Sequence, residues 1–374
     1  MSISLRKLYV KLDILRLKCV ERDAVVIEWG MFVSELMSNP LLLTVTLLNI
    51  GVIIVNGATD APNAIATVVS TRCMKPTPAI IMAAVCNFFG LLVITLVSSA
   101  VASTIFHMVD FGGNDHQAII ALMAAMVAII VWGVAAWVFG LPTSQSHSLI
   151  AGLTGAAIAL QGGLGGVNGA EWIKVIYGLV LSTFLGFGSG WVLTKVIARM
   201  CKNFDRVKSD HFFRWAQIVA GAGVAFMHGA QDGQKFMGIF ILAITLATGV
   251  GQADSLILPV WLMIFCALNM GLGTAVGGKK IIKSVGMDMV KMEKYQGFAA
   301  SLGATLCLML ATFTGMPVST THTKTTAIMG VGAAKRKSAV KWGVAIDMVK
   351  TWVLTFPGCG LLGFVFAKIF LAIM

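Results

Sequence analysis

The chain has 374 residues, 57% of them hydrophobic and only 12% charged, with a mean hydropathy of +0.88. A soluble domain is about half apolar and a quarter charged, so water is not the main solvent here and no large soluble domain fits beside the apolar runs. The net charge of +12 does not mark a nucleic-acid surface, because the lysines and arginines sit in short loops between apolar runs without interleaved aromatics, as the positive-inside rule produces.

Residues 1–38 alternate basic and apolar residues and contain no continuous apolar core of a signal peptide, which predicts an amphipathic helix at the membrane surface, with a cytosol-facing extension as the alternative. Beyond them, apolar runs of about 20 residues or slightly less predict spans near 41–70, 78–106, 117–140, 142–160 and 172–198. The charged stretch 199–214 follows, and a second set covers 215–249, 256–277, 296–315, 317–334 and 339–372. The expected organisation is therefore an N-terminal segment 1–38, a transmembrane repeat 39–198, a basic cytoplasmic linker 199–214 and a second transmembrane repeat 215–374. The cysteines (Cys19, Cys73, Cys86, Cys201, Cys266, Cys307, Cys359) lack CxxC or metal-ligand spacing and read as small core residues.

The two sets share motifs. Asn56-Gly-Ala-Thr-Asp-Ala-Pro-Asn63 in the first corresponds to His228-Gly-Ala-Gln-Asp-Gly-Gln-Lys235 in the second, at an offset of 172 between Asp60 and Asp232. Pro142-Thr-Ser-Gln-Ser-His147 and Pro317-Val-Ser-Thr-Thr-His322 agree at an offset of 175. Two motifs at nearly one offset argue for duplication. Five spans per unit is an odd number, so the two units lie in the bilayer with opposite orientation. Loop charge fits: 72–75, 199–214, 279–294 and 335–337 carry the basic residues, whereas 107–116, 161–170 and 250–255 carry no Lys or Arg. The basic N-terminus does not fit, which leaves three readings: the span near Asp60 is re-entrant, the repeats override the N-terminal charge, or a further crossing exists. The fold expected is all-α and polytopic, with two inverted-topology repeats and broken or half helices at the midplane.

Asp60 interrupts an apolar run, and a carboxylate at bilayer depth costs roughly 2.5 to 3.5 kcal/mol, so it implies a partner or a role. Gly57 and Pro62 predict a helix break there, with free carbonyls that suit a small cation beside Asp60 and free N–H groups that suit an anion. Gly229 and Gly233 predict the same at Asp232. The second motif starts a helix with Ser144, Gln145 and Ser146 in one copy and Ser319, Thr320 and Thr321 in the other. Hydroxyl and N–H donors at two opposed helix N-termini would grip one tetrahedral oxyanion; the plain alternative is N-capping and interhelical hydrogen bonding. His147 and His322 read as hydrogen-bonding residues before proton carriers. Lys235 and Lys324 occur only in the second copies, opposite Asn63 and Leu149, and are either substrate contacts or side chains that snorkel to the interface.

These residues make the chain resemble the inorganic phosphate transporter (PiT) family, whose repeated Gly-Ala-Asn-Asp-like motif stands here as Gly57-Ala-Thr-Asp-Ala-Pro-Asn-Ala-Ile-Ala-Thr67 and Gly229-Ala-Gln-Asp-Gly-Gln-Lys235. Pro317–His322, Pro142–His147, Gly277–Gly286 and Gln296–Ala300 add to the likeness, which spans about residues 40–372. It implies Na⁺- or H⁺-coupled symport of inorganic phosphate across the cytoplasmic membrane by alternating access. It also implies a coupling-cation set of Asp60, Asp232 and Thr59, Na⁺ first. The implied substrate set is Ser144, Gln145, Ser146, Ser319, Thr320, Thr321, Asn63, Gln231 and Lys235. Thr59 and Gln231 replace an Asn of the common motif, and Pro62 is unusual. The family includes sulfate permeases, so sulfate is the alternative substrate, and an anion channel is the alternative class. HExxH, GxSxG and Walker motifs are absent, which argues against an enzyme. No cofactor and no nucleic-acid partner is expected; the partners are phosphate or sulfate, the bilayer and, in a homodimer, a second copy.

Overall fold

A computed structural model describes residues 28–112, 114–140, 143–248, 258–276, 282 and 289–374. Most of the N-terminal segment, the loop 250–255, Pro142 and nearly all of Gly277–Gly286 lie outside these residues. Helix α1 (Trp29–Ser38) buries Phe32, whose ring stacks on Trp261 at 4.8 Å and meets Phe240 edge-on at 5.7 Å. Asn39 then starts α2 (Pro40–Thr59) by accepting from the N–H groups of Leu41 and Leu42, with Pro40 in the first turn, where a missing N–H costs nothing.

Helix α3 (Ala61–Ser70) continues α2 after one residue, and α4 (Pro76–Val97), the short α5 (Ala100–Phe106), α6 (Asp115–Phe139), α7 (Gln145–Gln161) and α8 (Gly169–Met200) complete the first half. The second comprises α9 (Arg206–Thr248), α10 (Val260–Val276), α11 (Lys294–Phe313), α12 (Thr320–Lys335) and α13 (Trp342–Ile373). The protein is all-helical, and apart from isolated bridges the described residues contain no β-structure. Among the described residues six segments are long and apolar enough to cross a membrane: Pro40–Ser70, Pro76–Val97, Asp115–Phe139, Gly169–Met200, Lys294–Phe313 and Trp342–Ile373. Their outward faces are apolar, with Phe184 72% and Val353 66% exposed, as lipid contact requires. The helices outside these segments include α7, α9, α10 and α12, which are short or polar, and three of these four build the site described below.

Residues 206–214, the second part of the expected linker, form the first turns of α9. One expectation needs correction. The helix carrying Asp232 is not broken: α9 runs without interruption from Arg206 to Thr248. At Asp60 the backbone stays in the right-handed helical region (φ −96°, ψ −37°), so the interruption between the two helices is a single residue, with Pro62 offering no N–H to the Ala58 carbonyl and Asn63 N–H bonding the Asp60 carbonyl at 3.0 Å. The glycines there serve close packing. A Cβ on Gly57 would stand 2.7 Å from the Thr274 nitrogen, and one on Gly229 would stand 2.2 Å from the Asn87 carbonyl oxygen.

Such contacts recur in reciprocal pairs. A Cβ on Gly155 would meet the Gly360 oxygen at 2.0 Å, and one on Gly330 would meet the Phe187 oxygen at 2.0 Å. Gly363 stands likewise against Gly152, as Gly190 does against Ala327; Gly90 stands against Phe226, as Gly273 does against Ile54. In each case the second contact is the first with the halves exchanged: α7 packs on α13 and α12 on α8, while α4 packs on α9 and α10 on α2. The two sets of helices thus interlock through backbone contacts of the same kind. Small residues let backbones approach where lipid supplies no hydrophobic drive for association.

Helices α6 and α7 form a hairpin whose base is closed by a bridge between Val109 and Val167; α11 and α12 form its counterpart, closed between Val290 and Val340. At the other ends the two hairpin tips touch. Gly330→Val is expected to destabilise the protein by about 3 kcal/mol or prevent its accumulation, through overpacking on Phe187. Gly343→Ala, which meets nothing within 4 Å, should change little. Thermal melts of the detergent-purified variants, followed by size-exclusion chromatography, provide the check.

Candidate functional site

Ser144 and Ser319 are the N-caps of α7 and α12, each accepting from an N–H three residues on, that of His147 and His322 respectively. The Ser319 hydroxyl donates to the Ser144 hydroxyl at 2.8 Å, so the two helix starts meet head to head. The sequence-predicted residues assemble around this contact. They form a buried polar layer between two apolar clusters, one containing Ile53, Leu149 and Phe236, the other Ile65, Ala230 and Ile328.

The layer is built twice. Gln145 N–H donates to Asp60 Oδ2 at 3.2 Å, and in the corresponding place the Thr320 hydroxyl donates to Asp232 Oδ2 at 3.2 Å. The Asn63 amide donates to the Thr321 hydroxyl at 2.9 Å; its counterpart, Lys235 Nζ, donates to the Ser146 hydroxyl at 2.6 Å. Both carboxylates are 1% exposed. Two carboxylates from α2–α3 and α9 therefore stand against the positive ends of α7 and α12, where helix dipoles favour negative charge.

Charge breaks the symmetry. Lys235 Nζ also lies 2.7 Å from Asp232 Oδ1 and donates to the Val318 carbonyl at 2.6 Å, and His228 Nε2 lies 3.2 Å from Asp232 Oδ2. Lys235 is fully buried and does not snorkel. Neither does Lys324, whose ammonium donates to the hydroxyls of Ser301 (2.8 Å) and Thr67 (3.1 Å). Two predicted residues point elsewhere: the Thr59 hydroxyl donates to the Val55 carbonyl of its own helix at 2.8 Å, and the Gln231 amide donates to the Met316 carbonyl at 3.1 Å. His147 and His322 stack edge to face at 4.3 Å behind the caps, His322 against Trp352 and His147 against Phe356.

Sequence reasoning missed five participants. His228 Nδ1 lies 3.1 Å from Asn87 Oδ1, and the Asn87 amide donates to Thr274 at 2.8 Å, a chain linking Asp232 to α4 and α10. Thr67 and Ser301 were not singled out either. The Asp232–Lys235 pair was visible as an i, i+3 spacing, which brings opposite charges together on a helix face.

A sequence profile of the phosphate transporter family matches residues 56–210 and 200–363. The chain belongs to that family. A Bacillus subtilis (strain 168) protein named "Probable low-affinity inorganic phosphate transporter" is 40% identical over 309 residues, covering 83% of this chain and 91% of its own length. A Rhizobium meliloti (strain 1021) protein of the same name is 38% identical over 307 residues, covering 82% and 90%. A solved structure described as "The sodium-dependent phosphate transporter" shares the fold, with a TM-score of 0.81 at 22% identity over 89% of this chain and 100% of that one. The relatives are named as transporters and not as enzymes, in keeping with the reading from motifs. This member of the phosphate transporter family is an integral membrane protein with several apolar spans.

Asp232→Asn leaves the Lys235 ammonium buried without its carboxylate and is expected to destabilise by about 3–5 kcal/mol. Asp60→Asn keeps an acceptor for Gln145 N–H and should cost much less. Thermal melts in detergent order the two; a lower melting point for Asp60→Asn would contradict the assignment of charge partners.

Proposed function

We propose that the chain is a cation-coupled symporter that moves inorganic phosphate across a bacterial cytoplasmic membrane by alternating access, its two repeats lying in the bilayer with opposite orientation. The observation that carries this reading is the Asp60 carboxylate on the N–H of Gln145, at a helix start that an oxyanion would also seek. Carboxylate and phosphate compete for the same donors. A cation bound to Asp60 neutralises the carboxylate and releases the helix start to the anion, so each solute raises the affinity for the other, and by linkage the effect is reciprocal. The hydroxyls of Ser144, Ser146, Ser319, Thr320 and Thr321 supply the remaining donors, with Asn63 beside them.

The repeats supply the motion. Because each hairpin tip meets its counterpart from the other half, rocking one half on the other changes which side of the tip contact is covered while the site stays in place. The basic stretches at 72–75, 199–214 and 335–337 mark the cytoplasmic face. Na⁺ is the first candidate for the driving ion, since Asp60 offers a hard oxygen ligand, and H⁺ is the second.

Proteoliposomes containing the purified protein should accumulate radiolabelled phosphate under an inward Na⁺ or H⁺ gradient, with collapse of the gradient ending accumulation. Uptake under neither would sink the reading. Excess sulfate is expected to leave uptake largely intact; full competition would make the substrate tetrahedral oxyanions in general. Asp60→Asn, expressed and folded, should lose coupled uptake to background, and unchanged transport would remove Asp60 from the mechanism.

A further inference from the structure

We infer that Lys235 is a tethered cation, filling in the second repeat the position that a mobile monovalent cation takes beside Asp60 in the first, so that one fewer cation moves with each phosphate than two equivalent sites would require. The inference rests on the symport reading and refines its stoichiometry.

The surroundings of Lys235 Nζ carry the argument. An ammonium has three N–H donors, and here they face three acceptors at 2.6–2.7 Å: Asp232 Oδ1, the Ser146 hydroxyl and the Val318 carbonyl. Carboxylate, hydroxyl and main-chain carbonyl oxygens are the ligands a hard cation takes. With all three donors engaged, Lys235 has none left for phosphate, which turns it from a substrate contact into a part of the charge structure.

The first repeat offers the comparison. Asp60 corresponds to Asp232, Asn63 to Lys235 and Thr321 to Ser146, but Asn63 is neutral. There Asp60 Oδ1, Asn63 Oδ1, Thr143 Oγ1 and Gln145 Oε1 are buried without a hydrogen-bond partner in the protein. Among the described residues no lysine or arginine stands within ion-pair distance of Asp60. A buried carboxylate in that condition is costly unless a cation joins it. The same backbone plan therefore carries a built-in positive charge on one side and a carboxylate that needs an external one on the other.

The test isolates the second site by silencing the first. Purified full-length Asp60→Asn and Asp60→Asn/Lys235→Asn are melted in NaCl and in choline chloride. The single variant should show no Na⁺-specific shift, while the double variant should gain a saturable Na⁺-specific rise in Tm of about 5 °C. A Na⁺-specific shift in the single variant, or none in the double, overturns the inference. If the double variant does not survive purification, Lys235→Asn in proteoliposomes decides: phosphate uptake should depend on Na⁺ with a Hill coefficient higher by about one than in the parent protein. Asp232→Asn/Lys235→Asn should return it to the parent value. Unchanged Na⁺ dependence with weakened phosphate saturation would make Lys235 a substrate ligand instead. Absence of phosphate uptake by the unmodified protein would remove the transport reading, while the Na⁺ melts would still score Lys235.

Discussion

A helix N-terminus carries roughly half a positive charge and several N–H groups without intrahelical partners. Burying two of them face to face, away from water, is unfavourable unless acceptors and negative charge stand at the junction. The head-to-head meeting of α7 and α12 imposes that requirement here. The serine caps satisfy one N–H in each helix and bond to each other, and the carboxylates of Asp60 and Asp232 supply the negative charge from outside the hairpins. The remaining helices hold these four groups in register.

The scaffold does so by backbone contact more than by side-chain bulk. Glycines between α7 and α13, and between α12 and α8, bring main chains together, so each short helix is clamped by a long helix of the other half. Packed interfaces of this kind switch between discrete arrangements instead of deforming continuously, a property suited to the rocking motion proposed above. Apolar clusters on either side of the polar layer keep its electrostatics strong by excluding water.

Much of this was legible in the residues. Ten helical runs, the correspondence of Asp60 with Asp232 and that of Ser144 with Ser319 all follow from hydropathy and repeated motifs. The exchange of helices between halves was not legible, because it is a set of contacts between residues far apart in the chain, and one sequence carries no trace of who meets whom. Gly229 and Gly233 were misread as a helix break, since a glycine that permits irregular backbone and one that permits close approach look alike until the neighbour is known. The Thr59 hydroxyl turns to the Val55 carbonyl of its own helix, a contact that the neighbouring aspartate in the motif did not suggest. Lys235 was found, but the three acceptors around its ammonium are set by contacts that no spacing contains.

The clamping of α7 by α13 also bears on how the protein is made. The α6–α7 hairpin, with the polar run Ser144–Ser148 at its tip, leaves the ribosome long before the helix that covers it. Until α13 is synthesised, that tip must stay sheltered by the insertion machinery or by water at the bilayer surface, because lipid offers its hydroxyls and amides no partner. The order of translation and the order of assembly therefore differ, and a helix made much later, α13, completes the first half of the molecule.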